Sequence, residues 1–387
     1  MYFVHPQIKL NRKNLKAIPQ WFLNNPETRA LQDKLNFCFP NKKIIFTDMG
    51  RTAFQIIIEK LNLRNSAMLF PAYTCDIFYP ILKKYNISPV FIDADLETFN
   101  IDIKNLYKKI SPTVNSILIP HIYGLANDME KIKSFVKTYN LKIIEDCAHS
   151  FIVPCKLSSK LEIENACLGN FGNAALFSLY KIFPCFRGGM LVCPKDWDVN
   201  LSETYFSPRD FISFLNCFPV CSFMFKKFGG NIAPKMIRKE KSLNLGQINK
   251  VSLNIFSYFL DDYKKNLNKR IKLGLLFQKE LKNLGFETQK SKNNTFCYVS
   301  ALIPEKLKNK RNILIKKLRK YKIFCTKMWH TAIILNPMAQ KTYNINLEEF
   351  PQTIEIAQRI INFPLQNYYT EKDIKKIIDK LSLIIDR

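Results

Sequence analysis

Short apolar runs and segments of helical spacing alternate along residues 44 to 194. Runs of strand length, followed by segments whose apolar residues recur every three to four positions, are typical of βαβ units. The predicted strands are 67–71, 88–93, 115–120, 141–145, 173–178 and 189–193. The predicted helices between them are 51–62, 74–86, 103–110 and 127–139. The fold class that follows is α/β, with a mostly parallel sheet flanked by helices.

The pattern weakens after about residue 195. It passes through a Phe-rich segment, Gly229-Gly230 and a basic stretch at 235–241. Beyond these, the spacing predicts a long helix, a strand and two further helices, at 252–284, 295–303, 305–321 and 371–385. We therefore expect a large α/β domain at 1–245, including the Phe-rich segment 206–228, and a smaller C-terminal α+β domain at 246–387.

Composition supports a folded protein of this size. The 387 residues are 47% hydrophobic and 24% charged, and a single core stops growing near about 250 to 300 residues. The net charge of +27 favours anionic partners. The lysines are spread along the chain, with no basic arm and no zinc-finger spacing, so nucleic-acid binding is not expected.

Eleven scattered cysteines and only four histidines fit neither a disulfide framework nor a zinc site. We therefore expect a cytoplasmic protein without a metal. The segment Phe211 to Phe225 is uncharged, but Pro219 interrupts it and it is shorter than the roughly 20 residues of a membrane-spanning helix. A buried helix or subunit contact is the simpler interpretation. Peripheral contact of 211–227 with the inner face of the membrane, aided by Lys226 and Lys227, stays open as the alternative.

Two charged residues follow predicted strands at the edge where parallel sheets bind ligands. Lys181 lies on a turn-rich stretch after the strand 173–178. Partial burial there can lower its pKa and make the amine a nucleophile for carbonyl compounds, including pyridoxal 5'-phosphate (PLP). Asp146 ends the strand 141–145. A carboxylate in such a place suits the pyridine nitrogen of PLP, although Glu145 and Asp146 could simply cap the next element.

A Gly-Arg-Thr turn at Gly50, Arg51 and Thr52 leads into the first predicted helix. The free N–H groups of a helix N-terminus bind phosphate well, and a hydroxyl and a glycine assist. An ordinary capped helix would read the same way.

These motifs follow one another in an order that resembles a known family, the DegT/StrS-type sugar-nucleotide aminotransferases. These are PLP-dependent enzymes of fold type I. The stretches that carry the resemblance are GRTAF, LFPAYTC, PVFIDADLETFNID, ILIPHIYGLANDMEKI, IIEDCAHS, FSLYK with its downstream Gly-Gly, and NFPLQNYYTEKDI.

The resemblance implies a role for each matching residue. Lys181 would form the Schiff base with PLP and then relay protons, and Asp146 would pair with the pyridine nitrogen. The remaining cofactor-binding residues would be those that hold the phosphate (Gly50, Arg51, Thr52 and Ser178), His149 near the phenolic oxygen, and Cys75.

The chain departs from the family pattern at three places. Only two residues separate Ser178 from Lys181, where the family commonly has four. Cys75 stands where many members stack an aromatic ring on the cofactor, with Tyr73 as a substitute. The family's Asn-Tyr-Arg segment has no clear match between 229 and 256.

The resemblance implies transfer of an amino group, with glutamate as the expected donor, to a keto group of a nucleotide-linked sugar in surface-glycan synthesis. It also implies a homodimer whose active site lies between two subunits. Two alternatives stay open: a catalytically inactive PLP-fold protein with a binding or regulatory role, and a PLP aminotransferase that acts on a lipid-linked or other keto substrate at the membrane.

Overall fold

The computed structural model describes residues 1–151, 167–228, 245–290 and 294–385. Its α-helices are α1 (Arg12–Leu23), α2 (Thr28–Leu35), α3 (Gly50–Lys60), α4 (Tyr79–Lys84), α5 (Ile103–Lys109), α6 (Met129–Tyr139), α7 (Pro208–Leu215), α8 (Pro219–Phe228), α9 (Lys250–Asn283), α10 (Arg311–Lys320), α11 (Pro337–Tyr343), α12 (Pro351–Arg359) and α13 (Glu371–Ile385). Its strands are β1 (Tyr2–Phe3), β2 (Lys42–Thr47), β3 (Ala67–Pro71), β4 (Ser88–Ile92), β5 (Val114–Pro120), β6 (Lys142–Asp146), β7 (Ala174–Ser178), β8 (Gly189–Pro194), β9 (Glu287–Thr288), β10 (Val299–Leu302), β11 (Ile323–Phe324) and β12 (Ile360–Phe363).

The central sheet has seven strands in the order β2-β8-β7-β6-β5-β3-β4. Strands β3 to β7 pair in parallel, and β8 lies antiparallel between β7 and β2. The β6 and β7 side chains are almost all buried, because helices cover both faces of the sheet. The predicted α/β class and the six predicted strands are confirmed. The edge strand β2 was not predicted.

Two of the sequence motifs lie at the starts of helices, namely those of α6 and α3. Asp128 caps α6, accepting a hydrogen bond from the backbone N–H of Lys131 at 3.2 Å. Asp128 is therefore the N-cap of this helix. Helix α3 begins after Met49, which is extended, and no side chain caps its first turn. The N–H groups of Thr52 and Ala53 donate to the Met49 carbonyl, so the anion-binding end of the helix is the backbone ahead of them, at Gly50 and Arg51.

The C-terminal part contains a second, antiparallel sheet in the order β12-β10-β9, packed against the 34-residue helix α9. The N-terminal segment joins this part, because β1 pairs in parallel with β11. Gln366 donates hydrogen bonds to the carbonyls of Phe3 and His5 and ties the segment down further. The division at 245/246 stays a prediction. The Gly-Gly break and the basic stretch that suggested it, and most of the span searched for Asn-Tyr-Arg, lie outside the described residues.

The apolar segment 211–225 forms the pair α7 and α8, and Pro219 opens the second helix. Phe214 and Phe218 are buried, as the simpler interpretation expected, but Phe211 and Met224 are exposed. No helix among the described residues is both long and apolar enough to cross a membrane.

Candidate active site

A cavity of about 620 Å³ opens at the carboxyl ends of β6 and β7. Six of the predicted site residues line it: Gly50, Arg51, Cys75, Asp146, Ser178 and Lys181. They come from four separate stretches of chain and meet because parallel strands end at the same edge of a sheet. The two other predicted residues, Thr52 and His149, lie behind this lining.

Glu145 and Asp146 are neighbours on β6 with different surroundings. The Glu145 carboxylate is fully buried and accepts backbone N–H groups of Gly169, Phe171 and Gly172 at 2.6 to 2.8 Å. Asp146 lines the cavity and accepts one backbone N–H, from Ala148 at 2.9 Å. Strand alternation separates the two side chains. Glu145 therefore organises the turn before β7, and Asp146 keeps acceptor capacity for a ligand.

Lys181 lies on the short 3₁₀ turn that follows β7. Its Nζ is 3.2 Å from Nε2 of His149, whose Nδ1 accepts the backbone N–H of Tyr123 at 3.4 Å. The His149 ring stacks on Trp329, with centroids 4.7 Å apart. His149 is thus held from two sides and positions the lysine amine at the cavity.

The two glycines after Lys181 allow the start of α3 to approach the sheet. Gly188 has φ +138°, a conformation that favours glycine, and its carbonyl accepts the N–H of Leu179 at 2.9 Å. A Cβ on Gly189 would lie 2.3 Å from the carbonyl carbon of Met49 and 2.5 Å from the nitrogen of Gly50. The Gly-Gly pair therefore fixes the N-terminus of α3 beside the end of β7.

Several candidates are used differently from what the sequence suggested. The Thr52 hydroxyl donates to the carboxylate of Asp48, and Thr52 is almost completely buried. Tyr73 is also buried, with its hydroxyl 2.6 Å from that of Tyr123, and it is not among the cavity-lining residues. It does not substitute for the ring that Cys75 lacks. His121, which directly follows β5, contacts Glu145 at 3.3 Å and does not line the cavity.

Burial controls the protonation of the central groups. Burial raises the pKa of Asp146, although Lys181 and the Ala148 N–H oppose the rise. Burial lowers the pKa of Lys181, but Tyr180, Cys75 and Asp146 outweigh it and raise the pKa above the ordinary value of 10.5. The lowered pKa predicted for this lysine is therefore wrong. Burial, together with Lys181 and His5, lowers the pKa of His149 well below 6.5, so its ring is neutral at pH 7.

The opposite wall comes from residues distant in sequence that were not predicted. It includes a face of α10 and the loop 325–331, and Trp329 lies with its ring centroid 5.8 Å from Lys181 Nζ. Trp329 has φ +60°, which is rare for a bulky residue and points to a functional constraint. His5 reaches the cavity from the N-terminal segment. No short motif marks any of these positions.

The residues present fit PLP. The cofactor has an aldehyde, a ring nitrogen and a phosphate. The cavity offers an amine at Lys181, a carboxylate with spare acceptor capacity at Asp146, and an uncapped helix start at Gly50 and Arg51. The bare backbone of Gly189 keeps that helix start close.

Comparisons with known proteins give a consistent result. A model of the DegT/DnrJ/EryC1/StrS aminotransferase family matches residues 11–382. The dTDP-3-amino-3,6-dideoxy-alpha-D-galactopyranose transaminase of Aneurinibacillus thermoaerophilus is 21% identical over 94% of this chain and 91% of its own length. The dTDP-4-amino-4,6-dideoxy-D-glucose transaminase of Escherichia coli is 22% identical over 92% of this chain and 90% of its own. The PLP form of Spr1654 from Streptococcus pneumoniae, assigned as a sugar aminotransferase, superposes with a TM-score of 0.75 at 14% identity, over 100% of this chain and 99% of that one.

Proposed function

This chain belongs to the DegT/DnrJ/EryC1/StrS aminotransferase family, and from that premise we propose that it moves an amino group from glutamate to a keto group of a nucleotide-linked sugar for surface-glycan synthesis. Membership confirms the predicted PLP-dependent aminotransferase and its fold type I architecture. The relatives from A. thermoaerophilus and E. coli are transaminases of dTDP-linked amino sugars, which supports the acceptor class. One observation carries the proposal: Lys181 and Asp146 line a single cavity at the sheet edge.

PLP, when bound, supplies an electron sink for the charge that remains when a proton leaves the carbon bearing the amino group. Asp146 would hold a proton at the ring nitrogen. Its carboxylate is buried and interacts electrostatically with Lys181. Gly50 and Arg51, at the start of α3, would bind the phosphate. Ser178 lines the same cavity.

Lys181 would act as the acid and base that moves the proton between carbon atoms. His149 fits a positioning role, because it contacts Nζ and is itself held by the Tyr123 N–H and by the Trp329 ring. A neutral imidazole at this contact adds no second positive charge beside the amine.

The half-reaction tests this proposal without knowledge of the sugar. PLP-loaded protein is mixed with L-glutamate, and 2-oxoglutarate is quantified. Wild type should form 2-oxoglutarate, and Lys181→Ala should be slower by about 10³-fold or more. Lys195→Ala is the matched control, because Lys195 is exposed at the far end of β8. An inert wild type would favour the inactive PLP-fold alternative.

Subunit structure and location belong to the proposal as well. We propose a homodimer with the active site between subunits. We also propose a cytoplasmic location, which agrees with the free thiols of the described cysteines. Gel filtration coupled to light scattering should give a molecular mass twice that of one chain. A monomer mass at micromolar concentration would contradict the dimer.

Peripheral membrane contact is a second candidate, favoured by Phe211, Val220 and Met224, which are exposed on α7 and α8; Lys226 and Lys227 follow Met224 on α8. Co-sedimentation with phosphatidylglycerol vesicles tests it. Phe211→Ser with Met224→Ser should then reduce binding, and unchanged partitioning would reject the contact.

A further inference from the structure

One face of α10 points into the active-site cavity. Asn312, Ile315 and Arg319 line the cavity and are spaced three and four residues apart, as neighbours on one side of a helix are. Lys316 and Lys317, on the same helix, are exposed but do not line it. The helix therefore presents Arg319 to the cavity and Lys316, Lys317 and Lys320 to solvent.

Lys327 adds a second cation to this wall. Its Nζ donates a hydrogen bond to Oδ1 of Asn312 at 3.0 Å, so helix and loop meet there. Neither Arg319 nor Lys327 has a carboxylate within 4 Å among the residues that the structure describes. The two carboxylates of the cavity lining, Asp76 and Asp146, come from the segments after β3 and on β6.

The positively charged groups of this wall lie close enough to one another to shift each other's pKa. Burial and the neighbouring Arg311 lower the pKa of Lys327. Burial, Lys327 and Arg311 also lower the pKa of His330, which lines the cavity next to Trp329. A bound anion would relieve this repulsion, because it would supply the opposite charge that the wall lacks.

The cavity then has two walls suited to anions, and the start of α3 accounts for only one phosphate. On the basis of the proposed function, we propose that Arg319 and Lys327 bind the diphosphate group of the sugar acceptor. A guanidinium can bind two phosphate oxygens at once, and an ammonium adds a point charge. Trp329, which lines the same cavity and lies 5.8 Å from Lys181 Nζ, would then border the sugar.

Binding of dTDP, measured by calorimetry on the PLP-loaded protein, tests the site without catalysis. Arg319→Gln and Lys327→Met should each weaken dTDP binding about tenfold, the usual effect of a lost charged hydrogen bond. Lys316→Gln is the matched control and should bind like wild type. Equal dTDP affinity in wild type and in the Arg319→Gln, Lys327→Met double variant would overturn the proposal.

Two further experiments distinguish a nucleotide diphosphate from a lipid diphosphate, and a role in acceptor binding from a role at the cofactor. In the first experiment, phosphatidylcholine vesicles that carry undecaprenyl diphosphate replace dTDP. If the protein binds only these vesicles, and the double variant does not bind them, the site is supported with a lipid-linked acceptor.

In turnover, the rise in KM for a dTDP-linked 4-keto sugar should exceed any change in the rate of the glutamate half-reaction at least tenfold. Equal losses in both would overturn the proposal, because they would place the residues at the cofactor. If wild type binds dTDP but leaves glutamate unchanged, the proposed function fails and the anion site stands.

Discussion

The wall built from β6, β7 and the start of α3 differs in construction from the wall built from α10 and residues 325–331. In the first, buried groups are fixed by backbone hydrogen bonds and by the close approach of Gly189 to Met49. In the second, long cationic side chains stand in or near solvent without carboxylate partners among the described residues. We call the first the rigid wall and the second the cationic wall. The difference suggests separate roles, in which residues of the rigid wall carry out the reaction and residues of the cationic wall select the acceptor.

The strongest test of these separate roles is the loss of Asp146. Asp146→Asn should slow the glutamate half-reaction about 10³-fold, because a neutral amide does not hold the ring-nitrogen proton as a carboxylate does. The free energy of unfolding should change little. The rate is measured as 2-oxoglutarate formed by PLP-loaded protein. A loss below tenfold would contradict the role given to this carboxylate.

Glu145→Gln should give the opposite result at the adjacent position. The Glu145 carboxylate accepts three backbone N–H groups, and an amide turns its NH₂ towards at least one of them. We expect the free energy of unfolding to fall by about 3 kcal/mol, as measured by urea denaturation. The half-reaction rate of the folded fraction should stay within a few-fold of wild type. A stable but inactive variant would reverse the roles of the two carboxylates.

Sequence reasoning found the rigid wall and missed the cationic one. Lys181 and Asp146 were predictable because each follows an apolar run at a strand end, and Gly50 because its turn opens a helix. Strand β2 escaped because its two lysines at 42 and 43 obscure a short edge strand. Arg319 and Trp329 come from the C-terminal part and reach the cavity only through tertiary packing. The spacing of 312, 315 and 319 was a possible signal, but it does not say which side of the helix meets the site.

Gly189→Ala should disturb the rigid wall without removing any reacting group. The new Cβ would lie 2.3 Å from Met49 and force the start of α3 away from β8. We expect a loss of about 2 kcal/mol in stability and weaker PLP binding, measured by thermal unfolding and by PLP titration. Gly285→Ala is the contrast, because its φ of +80° is strained while its nearest neighbour is 3.7 Å away. Unchanged PLP affinity in Gly189→Ala would remove the close approach from the account.

A smaller effect concerns pH. The pKa of His149 is held well below 6.5 by burial, Lys181 and His5. As the pH falls below 6.5, the unfolded chain takes up a proton that the folded chain refuses, so stability present at higher pH is lost. The slope from this group is at most about 1.4 kcal/mol per pH unit. Urea unfolding between pH 7.5 and 5.5 should show a shallower decline for His149→Gln than for wild type, and equal slopes would contradict a neutral buried ring.

The central claim is that Lys181 is the residue of this cavity that binds PLP covalently. Borohydride reduction of the PLP-loaded protein, followed by peptide mass spectrometry, tests it most directly. The account predicts one modified peptide, containing Lys181, and no specific label in Lys181→Ala. A label spread over the surface lysines, or one that survives in the variant, would contradict it.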